Sequence, residues 1–165
     1  MKCLIFSDSH GNLYNMRRAL FLNRDAEAVF FLGDGLSDLF DLREEYPNIA
    51  YFLVKGNCDI GASSVFTDIK SIDIAELLFR KIVFTHGNLH GVKYGYDKVK
   101  YLAQEECADI VLFGHTHMPE CIYVTEEGKK PYYLFNPGSI GGSDASFGIM
   151  TLTEKDILFS HGKIT

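Results

Sequence analysis

Short apolar runs recur along this chain, and polar segments rich in glycine separate them. The runs are dominated by β-branched, leucine and aromatic residues, and they cover 3–6, 28–32, 49–54, 76–84 (interrupted by two basic residues) and 110–113. Short apolar runs bounded by turn residues are typical of strands that are buried on both faces. The pattern therefore predicts a sheet whose strands lie inside the molecule.

Helical patterns lie between several of these runs. The segment 12–23 begins with Asn12, a residue suited to capping a helix, and 36–45 and 96–106 have similar periodicity. Alternating strands and helices predict a parallel sheet flanked by helices.

Two regions interrupt this alternation. Residues 65–84 contain no helical pattern and are predicted to form paired strands, and the chain after residue 118 consists of strands and turns, with a hairpin signal at 126–130. We therefore expect an α/β fold with a two-layered sheet core and helices outside. A chain of 165 residues corresponds to one domain, predicted over 1–165.

Charge and hydropathy restrict the partners of the chain. The net charge is −6, which disfavours extended nucleic acid but leaves room for a small phosphorylated ligand held by metal ions. No apolar stretch approaches the ~20 residues of a membrane span, and the N-terminal apolar run is shorter than a secretory signal needs. We expect a cytoplasmic protein without a membrane partner, and a homo-oligomer is compatible with the sequence.

Metal-ligating residue types follow five of the predicted strands. These residues are, in chain order, Asp8 and His10, Asp34, Asn57, His86, and His115 and His117. In open α/β sheets, ligands bind at the carboxyl ends of the strands, so we expect these side chains to lie close together. The set is too large for one tetrahedral zinc site and suits two mixed nitrogen and oxygen sites that share a carboxylate. Imidazole and carboxylate ligands without thiolate favour Mn, Ni, Fe, Co or Zn.

The same residues stand in motifs that resemble the calcineurin-like metallophosphoesterase superfamily. The motifs are DSH at 8–10, GD at 33–34, GN at 56–57, TH at 85–86, GHTH at 114–117 and NPGS at 136–139. The short length and the GNCD sequence at 56–59 are most similar to its small bacterial and archaeal phosphodiesterase branch. The resemblance implies a four-layer αββα sandwich of two mixed sheets, with the metal site at the carboxyl ends of the strands.

The resemblance also implies a ligand set and a mechanism. It implies one divalent ion held by Asp8, His10, Asp34 and His117, and a second held by Asp34, Asn57, His86 and His115, with Asp34 bridging. The implied reaction is in-line attack on the phosphorus of a small phosphoester by a metal-bridging hydroxide. Asp34, Asn57 and Cys58 are the residues assigned to catalysis on this basis.

Two positions depart from the pattern of many relatives. Cys58 replaces a histidine that contacts phosphate in such relatives and assists the leaving group, and Asn88 stands where they carry the second histidine of an HGH motif. His90 lies two residues further on and is a partial substitute, so Asn88, His90 and Asn12 are the predicted substrate contacts. Asn12 has the alternative role of a helix cap, and Asp59 either orients a ligand or caps a turn.

Other function classes remain as alternatives. A non-catalytic protein-interaction scaffold of the same fold, like the small retromer subunit, is expected to have eroded ligand positions, whereas all seven are ligand-competent here. An aspartyl-phosphate phosphatase needs a second aspartate two residues after the first, and this chain has His10 after Asp8. The sequence therefore favours the metal-dependent phosphoesterase.

Overall fold

The computed structural model describes residues 1–60 and 70–164, and it contains two five-stranded sheets. The strands are β1 (Lys2–Phe6), β2 (Ala28–Phe31), β3 (Ala50–Leu53), β4 (Ile72–Leu77), β5 (Arg80–Thr85), β6 (Ile110–Phe113), β7 (Pro119–Val124), β8 (Tyr132–Pro137), β9 (Ser146–Leu152) and β10 (Ile157–Lys163). The helices are α1 (Leu13–Leu22), α2 (Leu39–Glu45) and α3 (Asp97–Glu105), and short 3-10 turns cover Leu36–Asp38 and Asn88–His90.

Both sheets are mixed, and each contains three neighbouring parallel strands. The first has the order β10-β9-β1-β2-β3, in which β1, β2 and β3 are parallel and β9 is antiparallel to β1 and to β10. The second has the order β4-β5-β6-β8-β7, in which β5, β6 and β8 are parallel and both edge strands are antiparallel. The expectation of parallel strands is therefore right for the strands that precede the metal-ligating residues, and the antiparallel pairings of β4, β7, β9 and β10 make both sheets mixed, as the resemblance implied.

Successive residues of the central strands point into different apolar layers. In β1, Cys3 and Ile5 pack into a cluster between the two sheets, where they join Phe84 of the second sheet. Leu4 and Phe6 point the other way and pack among residues of the helices. This alternation explains why the run at 3–6 is apolar without interruption, because neither face of the strand meets water.

Helices cover the outer face of each sheet. Residues of α1 and α2, among them Met16 and Leu42, pack on the first sheet, and Val99 and Ala103 of α3 pack on the second. The layers therefore run helix, sheet, sheet, helix, which confirms the predicted αββα sandwich. Among the described residues, no helix is long and apolar enough to span a bilayer.

The run at 76–84 forms a hairpin rather than one strand. β4 and β5 pair antiparallel and close at Leu77 and Arg80, so Leu78 and Phe79 make a two-residue turn with φ of 47° and 64°. Such turns normally carry Asn or Gly at positive φ, and an apolar pair gives no turn signal. The prediction of paired strands is confirmed for β4 and β5, while its part at 65–69 lies outside the described residues.

The other strand predictions differ only in detail. β3 lies at the edge of its sheet and is partly exposed, so the expectation of burial on both faces is wrong for this strand. The hairpin predicted around 126–130 is confirmed, because β7 and β8 pair across a turn in which the Lys129 N–H donates to the Glu126 carbonyl at 3.1 Å.

Candidate metal centre

The loops that follow β1, β2, β3, β5 and β6 meet at one edge of the sandwich. Three groups of side chains there could each hold a metal ion, because the ligand atoms within a group lie within 4.8 Å of one another. The groups are Asp8, His10 and His117; His10, Asp34 and Cys58; and Asp34, His86 and His115. His10 and Asp34 each belong to two of these groups, so the groups form one continuous cluster. The structure thus brings together side chains from residue 8 to residue 117.

Asp8 has one oxygen that is hydrogen-bonded within the protein and one that faces the imidazoles. Its Oδ2 accepts hydrogen bonds from Ser7 Oγ at 2.5 Å and from the His115 N–H at 3.1 Å. Its Oδ1 lies 3.1 Å from His117 Nε2 and 3.9 Å from His10 Nε2. The buried carboxylate is therefore oriented by two donors at Oδ2 and directs Oδ1 toward the imidazoles of His10 and His117.

His86 has a fixed tautomer, because its Nδ1 lies 2.7 Å from the carbonyl oxygen of Leu32. A carbonyl only accepts, so Nδ1 carries the proton, and Nε2 of the neutral ring is a lone pair. That Nε2 lies 3.1 Å from Asn57 Oδ1, 3.0 Å from His115 Nδ1 and 3.4 Å from Asp34 Oδ2. Metal-ligating histidines are commonly held by a carbonyl in this way.

The acceptor atoms around His86 Nε2 show whether the residues of the cluster fit a metal ion. The Nε2 lone pair of buried His86 points at the oxygens of Asn57 and Asp34, and Asp8 Oδ1 lies 4.0 Å away. Lone pairs and carboxylate charge that converge in a buried place repel one another unless a cation lies between them. The donors are imidazole nitrogen and carboxylate or amide oxygen, which suit divalent ions. The residues therefore fit divalent metal ions.

The charge states of Asp34 and His86 are coupled. Burial raises the pKa of the Asp34 carboxyl, but a hydrogen bond from His86, which Nε2 donates only when the ring is doubly protonated, and one from the Cys58 N–H at 2.7 Å outweigh it, so this pKa lies well below its usual range. Burial likewise lowers the pKa of His86, and the hydrogen bond to Asp34 with the charges of Asp8 and Asp34 raises it above its ordinary value. The pair therefore keeps Asp34 ionised.

Asp59 connects the loop of Asp34 to the loop of Asn57. Its Oδ2 accepts hydrogen bonds from the N–H groups of Asp34 and Gly56, both at 2.8 Å. Its Oδ1 accepts from the N–H groups of Gly35 at 2.8 Å and Leu36 at 2.9 Å. Asp59 thus caps backbone N–H groups of both loops, and one of these groups belongs to the candidate ligand Asp34.

Gly33 and Gly56 allow these two loops to approach each other closely. A Cβ atom at Gly33 collides with the backbone nitrogen of Gly56, and one at Gly56 collides with Asp34 Oδ1. Gly33 also has a φ of 94°, which residues with side chains rarely adopt. Both glycines are therefore required by the distance between the loops that carry Asp34 and Asn57.

Five of the candidate ligands have a left-handed backbone. The φ angles are 56° at Asp8, 46° at His10, 60° at Asp34, 67° at His115 and 61° at His117. A non-glycine residue in this region is uncommon, although Asp and His tolerate it better than most. Such strain costs about 1–3 kcal/mol per residue and concentrates at functional sites. Its repetition here indicates that the loops are shaped for ligand geometry.

Comparison with known proteins decides the family. The profile of the calcineurin-like phosphoesterase superfamily domain matches residues 1–157. The chain belongs to this superfamily. Membership confirms the resemblance seen in the motifs and gives the reaction class, the hydrolysis of phosphoric esters with divalent metal ions.

Relatives of the superfamily span most of the chain. The probable metallophosphoesterase YsnB of Bacillus subtilis is 36% identical over 141 residues, which cover 85% of this chain and 75% of that protein. The phosphodiesterase MJ0936 of Methanocaldococcus jannaschii is 31% identical over 157 residues, 86% of each chain. The crystal structure of Vps29 from Chaetomium thermophilum superimposes with a TM-score of 0.73 and 18% identity, and the match covers 99% of this chain and 95% of Vps29. That identity supports a shared fold alone.

The NPGS segment at 136–139 hydrogen-bonds to two of the loops that carry candidate ligands. Asn136 is buried, and its Nδ2 donates to the Gly114 carbonyl and to Thr116 Oγ1, both at 3.0 Å. Ser139 Oγ donates to the Asp8 carbonyl at 2.9 Å. These bonds hold the GHTH turn and the first loop, a role that the sequence did not reveal because it depends on contacts across the second sheet.

Asp38 is a further contact that sequence analysis did not find. Its Oδ2 accepts hydrogen bonds from Ser9 Oγ at 2.6 Å and from the Gly11 N–H at 3.0 Å. Asp38 thereby holds the loop on either side of His10. In the sequence, only its position four residues after Asp34 indicated that Asp38 lies near the candidate ligands.

The predicted substrate contacts have different surroundings. Asn12 caps α1 through the Asn15 N–H at 3.3 Å and donates its Nδ2 to the Gly141 carbonyl at 3.1 Å. Asn88 and His90 are half-buried in the turn after His86, and His90 Nδ1 has no hydrogen-bond partner among the described residues. Asn12 thus has the cap role that the sequence left open.

Cys58 lies at the exposed side of the cluster. Its sulfur accepts a hydrogen bond from Asn57 Nδ2 at 3.1 Å, and the hydrogen bond with the Asp34 carboxylate raises the pKa of the thiol. The side chain shares a ligand group with His10 and Asp34, so it stands beside the proposed bridging residue.

Proposed function

We propose that the chain is a phosphodiesterase that works with two divalent metal ions, and that Asp34 bridges them. The observation that carries this proposal is the sharing of Asp34 and His10 between groups of ligand atoms within 4.8 Å. A shared carboxylate allows two ions to sit close together, as phosphoryl chemistry requires.

Each ion has its own set of ligands in this proposal. Asp8, His10, Asp34 and His117 hold the first, and Asp34, Asn57, His86 and His115 hold the second. The contacts of Asp8 Oδ1 with His117 and of His86 Nε2 with Asn57 and His115 support this division. The candidate metals are Mn, Ni, Fe, Co and Zn, because the donors are imidazoles and oxygens.

The residues of the chain prepare the site before substrate arrives. When bound, the ions supply Lewis acidity toward a phosphoryl oxygen and lower the pKa of a water molecule. His86 presents Nε2 because Leu32 accepts the proton of its Nδ1, and Asp34 remains a carboxylate because its surroundings favour the charged form. Cys58, beside Asp34, is the proposed leaving-group position, and Asn12, Asn88 and His90 are the proposed substrate contacts.

The substrate in this proposal is a small phosphoester, and a diester is favoured because the relative MJ0936 is named a phosphodiesterase. The net charge of −6 disfavours extended nucleic acid, and neither a membrane nor a protein partner is needed for the reaction. We place the enzyme in the cytoplasm and treat residues 1–165 as one catalytic domain.

The alternative function is a protein-interaction scaffold of the same fold. The likeness to Vps29 is a likeness of fold, and at 18% identity it transfers no function. The presence of all seven ligand-competent side chains favours the enzyme, because a scaffold does not need to keep every ligand position.

A hydrolysis screen distinguishes the two functions. The purified chain is stripped with a chelator, reloaded separately with Mn, Ni, Fe, Co or Zn, and given aryl and alkyl diesters, monoesters, nucleotides and pyrophosphate. We expect diester turnover with at least one metal, and its loss in the His86→Ala variant. Lys163→Ala, at the exposed end of β10, is the matched control and keeps full activity. Tight metal retention without turnover on any ester identifies the scaffold instead.

A further inference from the structure

A pocket lies at the opposite end of the second sheet from the metal centre. It has a volume of about 500 Å³, and its wall includes Arg80, Tyr123, Lys130, Tyr133, Lys155 and Leu158. We call it the tyrosine pocket. Arg80 begins β5, whereas His86 follows the end of that strand, and six residues at about 3.3 Å each separate the two sites by about 20 Å. The tyrosine pocket is therefore distinct from the metal centre.

Positive charge predominates in the wall of the tyrosine pocket. Arg80, Lys130 and Lys155 line it together with two acids, Asp109 and Asp156. Asp109 is already neutralised, because its carboxylate pairs with Lys130 Nζ at 2.9 Å and also accepts the Lys81 N–H at 2.9 Å. The remaining charges are the cations of Arg80 and Lys155 against the carboxylate of Asp156.

The guanidinium of Arg80 is held in place but not saturated. Its Nη2 donates to the Glu154 carbonyl at 3.4 Å and to the Lys155 carbonyl at 3.1 Å, so the turn between β9 and β10 fixes the side chain. Its Nε is buried and has no hydrogen-bond partner in the described part of the chain. The Lys155 ammonium likewise makes no hydrogen bond within residues 1–60 and 70–164. An anion is the partner that the exposed Lys155 ammonium and the positive charge of the Arg80 guanidinium suit.

Aromatic rings form the other part of the wall. The rings of Tyr123 and Tyr133 lie 4.7 Å apart at 41°, and Tyr133 packs in turn on Phe159 at 5.3 Å. Tyr123 is 54% exposed and Leu158 is 60% exposed, so apolar surface faces the pocket rather than the core. A flat ring stacks favourably on such a surface.

We propose that the tyrosine pocket binds a small phosphate that carries a flat aromatic ring, of the size of a nucleoside monophosphate. The phosphate lies near Arg80 and Lys155, and the ring stacks on Tyr123. The volume falls within the 300–1,000 Å³ that is usual for small-molecule sites. Neither the phosphodiesterase reaction nor its metal ions take part in this binding.

Calorimetric titration tests the proposal on the full chain in the presence of a chelator, so that the metal centre cannot hold phosphate. The probes are the four common nucleoside 5′-monophosphates, together with a nucleoside and ribose 5-phosphate. We expect at least one nucleotide to bind with a Kd below about 1 mM, and the probes that lack the ring or the phosphate to bind at least about tenfold more weakly.

Variants assign the binding to this pocket. Lys155→Glu and Tyr123→Ala are expected to weaken nucleotide binding at least about tenfold, and both change exposed side chains whose loss the fold tolerates. Lys163→Glu makes the same charge change on the same strand pair outside the pocket and is expected to bind normally. Absence of nucleotide binding, equal binding of ribose 5-phosphate, or unchanged binding in Lys155→Glu overturns the proposal. Since no turnover is measured, these results are independent of the phosphodiesterase assay.

Discussion

The Asp59 carboxylate accepts a hydrogen bond from the backbone N–H of Asp34 at 2.8 Å, across 25 residues of sequence. The same carboxylate also accepts N–H groups of Gly35, Leu36 and Gly56. One side chain therefore fixes the backbone around the proposed bridging ligand and ties it to the loop of Asn57. Asp59 is a positioning residue that does not itself reach the metal ions in this proposal.

Asp59→Asn is expected to weaken metal binding about 10–100-fold, as loss of such supporting partners commonly does. The amide has the same shape, but its NH2 group is a hydrogen-bond donor. It therefore faces backbone N–H groups that donate to a carboxylate oxygen in the wild type, and those hydrogen bonds are lost. Metal affinity is measured by competition with a chromogenic chelator. Asp25→Asn removes the same charge at an exposed site and is expected to leave the affinity unchanged. Equal affinities in wild type and Asp59→Asn contradict the positioning role.

Asp34→Asn is expected to lower metal content and activity more than removal of a ligand to one ion, such as His115→Ala. The proposed bridging carboxylate offsets charge on both ions, so its loss disturbs both sites. Metal per chain is measured by elemental mass spectrometry after dialysis. Two ions retained at normal affinity in Asp34→Asn remove Asp34 from the bridge.

Gly56→Ala is expected to destabilise the fold by about 1–3 kcal/mol, because the new methyl group collides with Asp34. Gly142→Ala adds the same methyl group at a position where the nearest atom is 4.0 Å away, and its stability is expected to change little. Denaturant unfolding of both metal-free variants gives the difference. Equal stability in the two variants shows that the loops of Asp34 and Asn57 separate at no cost.

Removal of metal is expected to abolish turnover and leave the fold intact. The core between the sheets is made of apolar side chains such as Ile5, Phe84 and Phe135, which pack without the ligands. Loss of bound ions lowers the melting temperature by mass action but keeps one cooperative transition. Circular dichroism with and without chelator measures both effects. Complete unfolding on chelation identifies the ions as structural.

Cys58→His is expected to raise kcat/KM on alkyl diesters more than on aryl diesters. A departing alkoxide needs a proton, and an imidazole supplies one better than a thiol, which is a weak donor. Aryl leaving groups depart readily without that help. The dependence of kcat/KM on the pKa of the leaving group is measured for both proteins. The same slope in both shows that position 58 takes no part in departure.

The sequence alone determined the strands at the centre of each sheet and the candidate ligands. The runs at 3–6 and 110–113 are apolar because both faces of these strands are buried, and that requirement is visible residue by residue. Each ligand type follows its strand directly, so its place at the sheet edge follows from strand direction alone. The helix cap at Asn12 could also be predicted from the sequence, because capping involves residues close together in the chain.

The tertiary structure decided how these parts meet. The tautomer of His86 depends on Leu32, and the orientation of Asp8 depends on the backbone of His115, across 54 and 107 residues. The left-handed backbone at Asp34 and the role of Asp59 also arise from contact between loops. Local preference cannot encode such relationships, because the free energy that holds them comes from groups that only folding brings together.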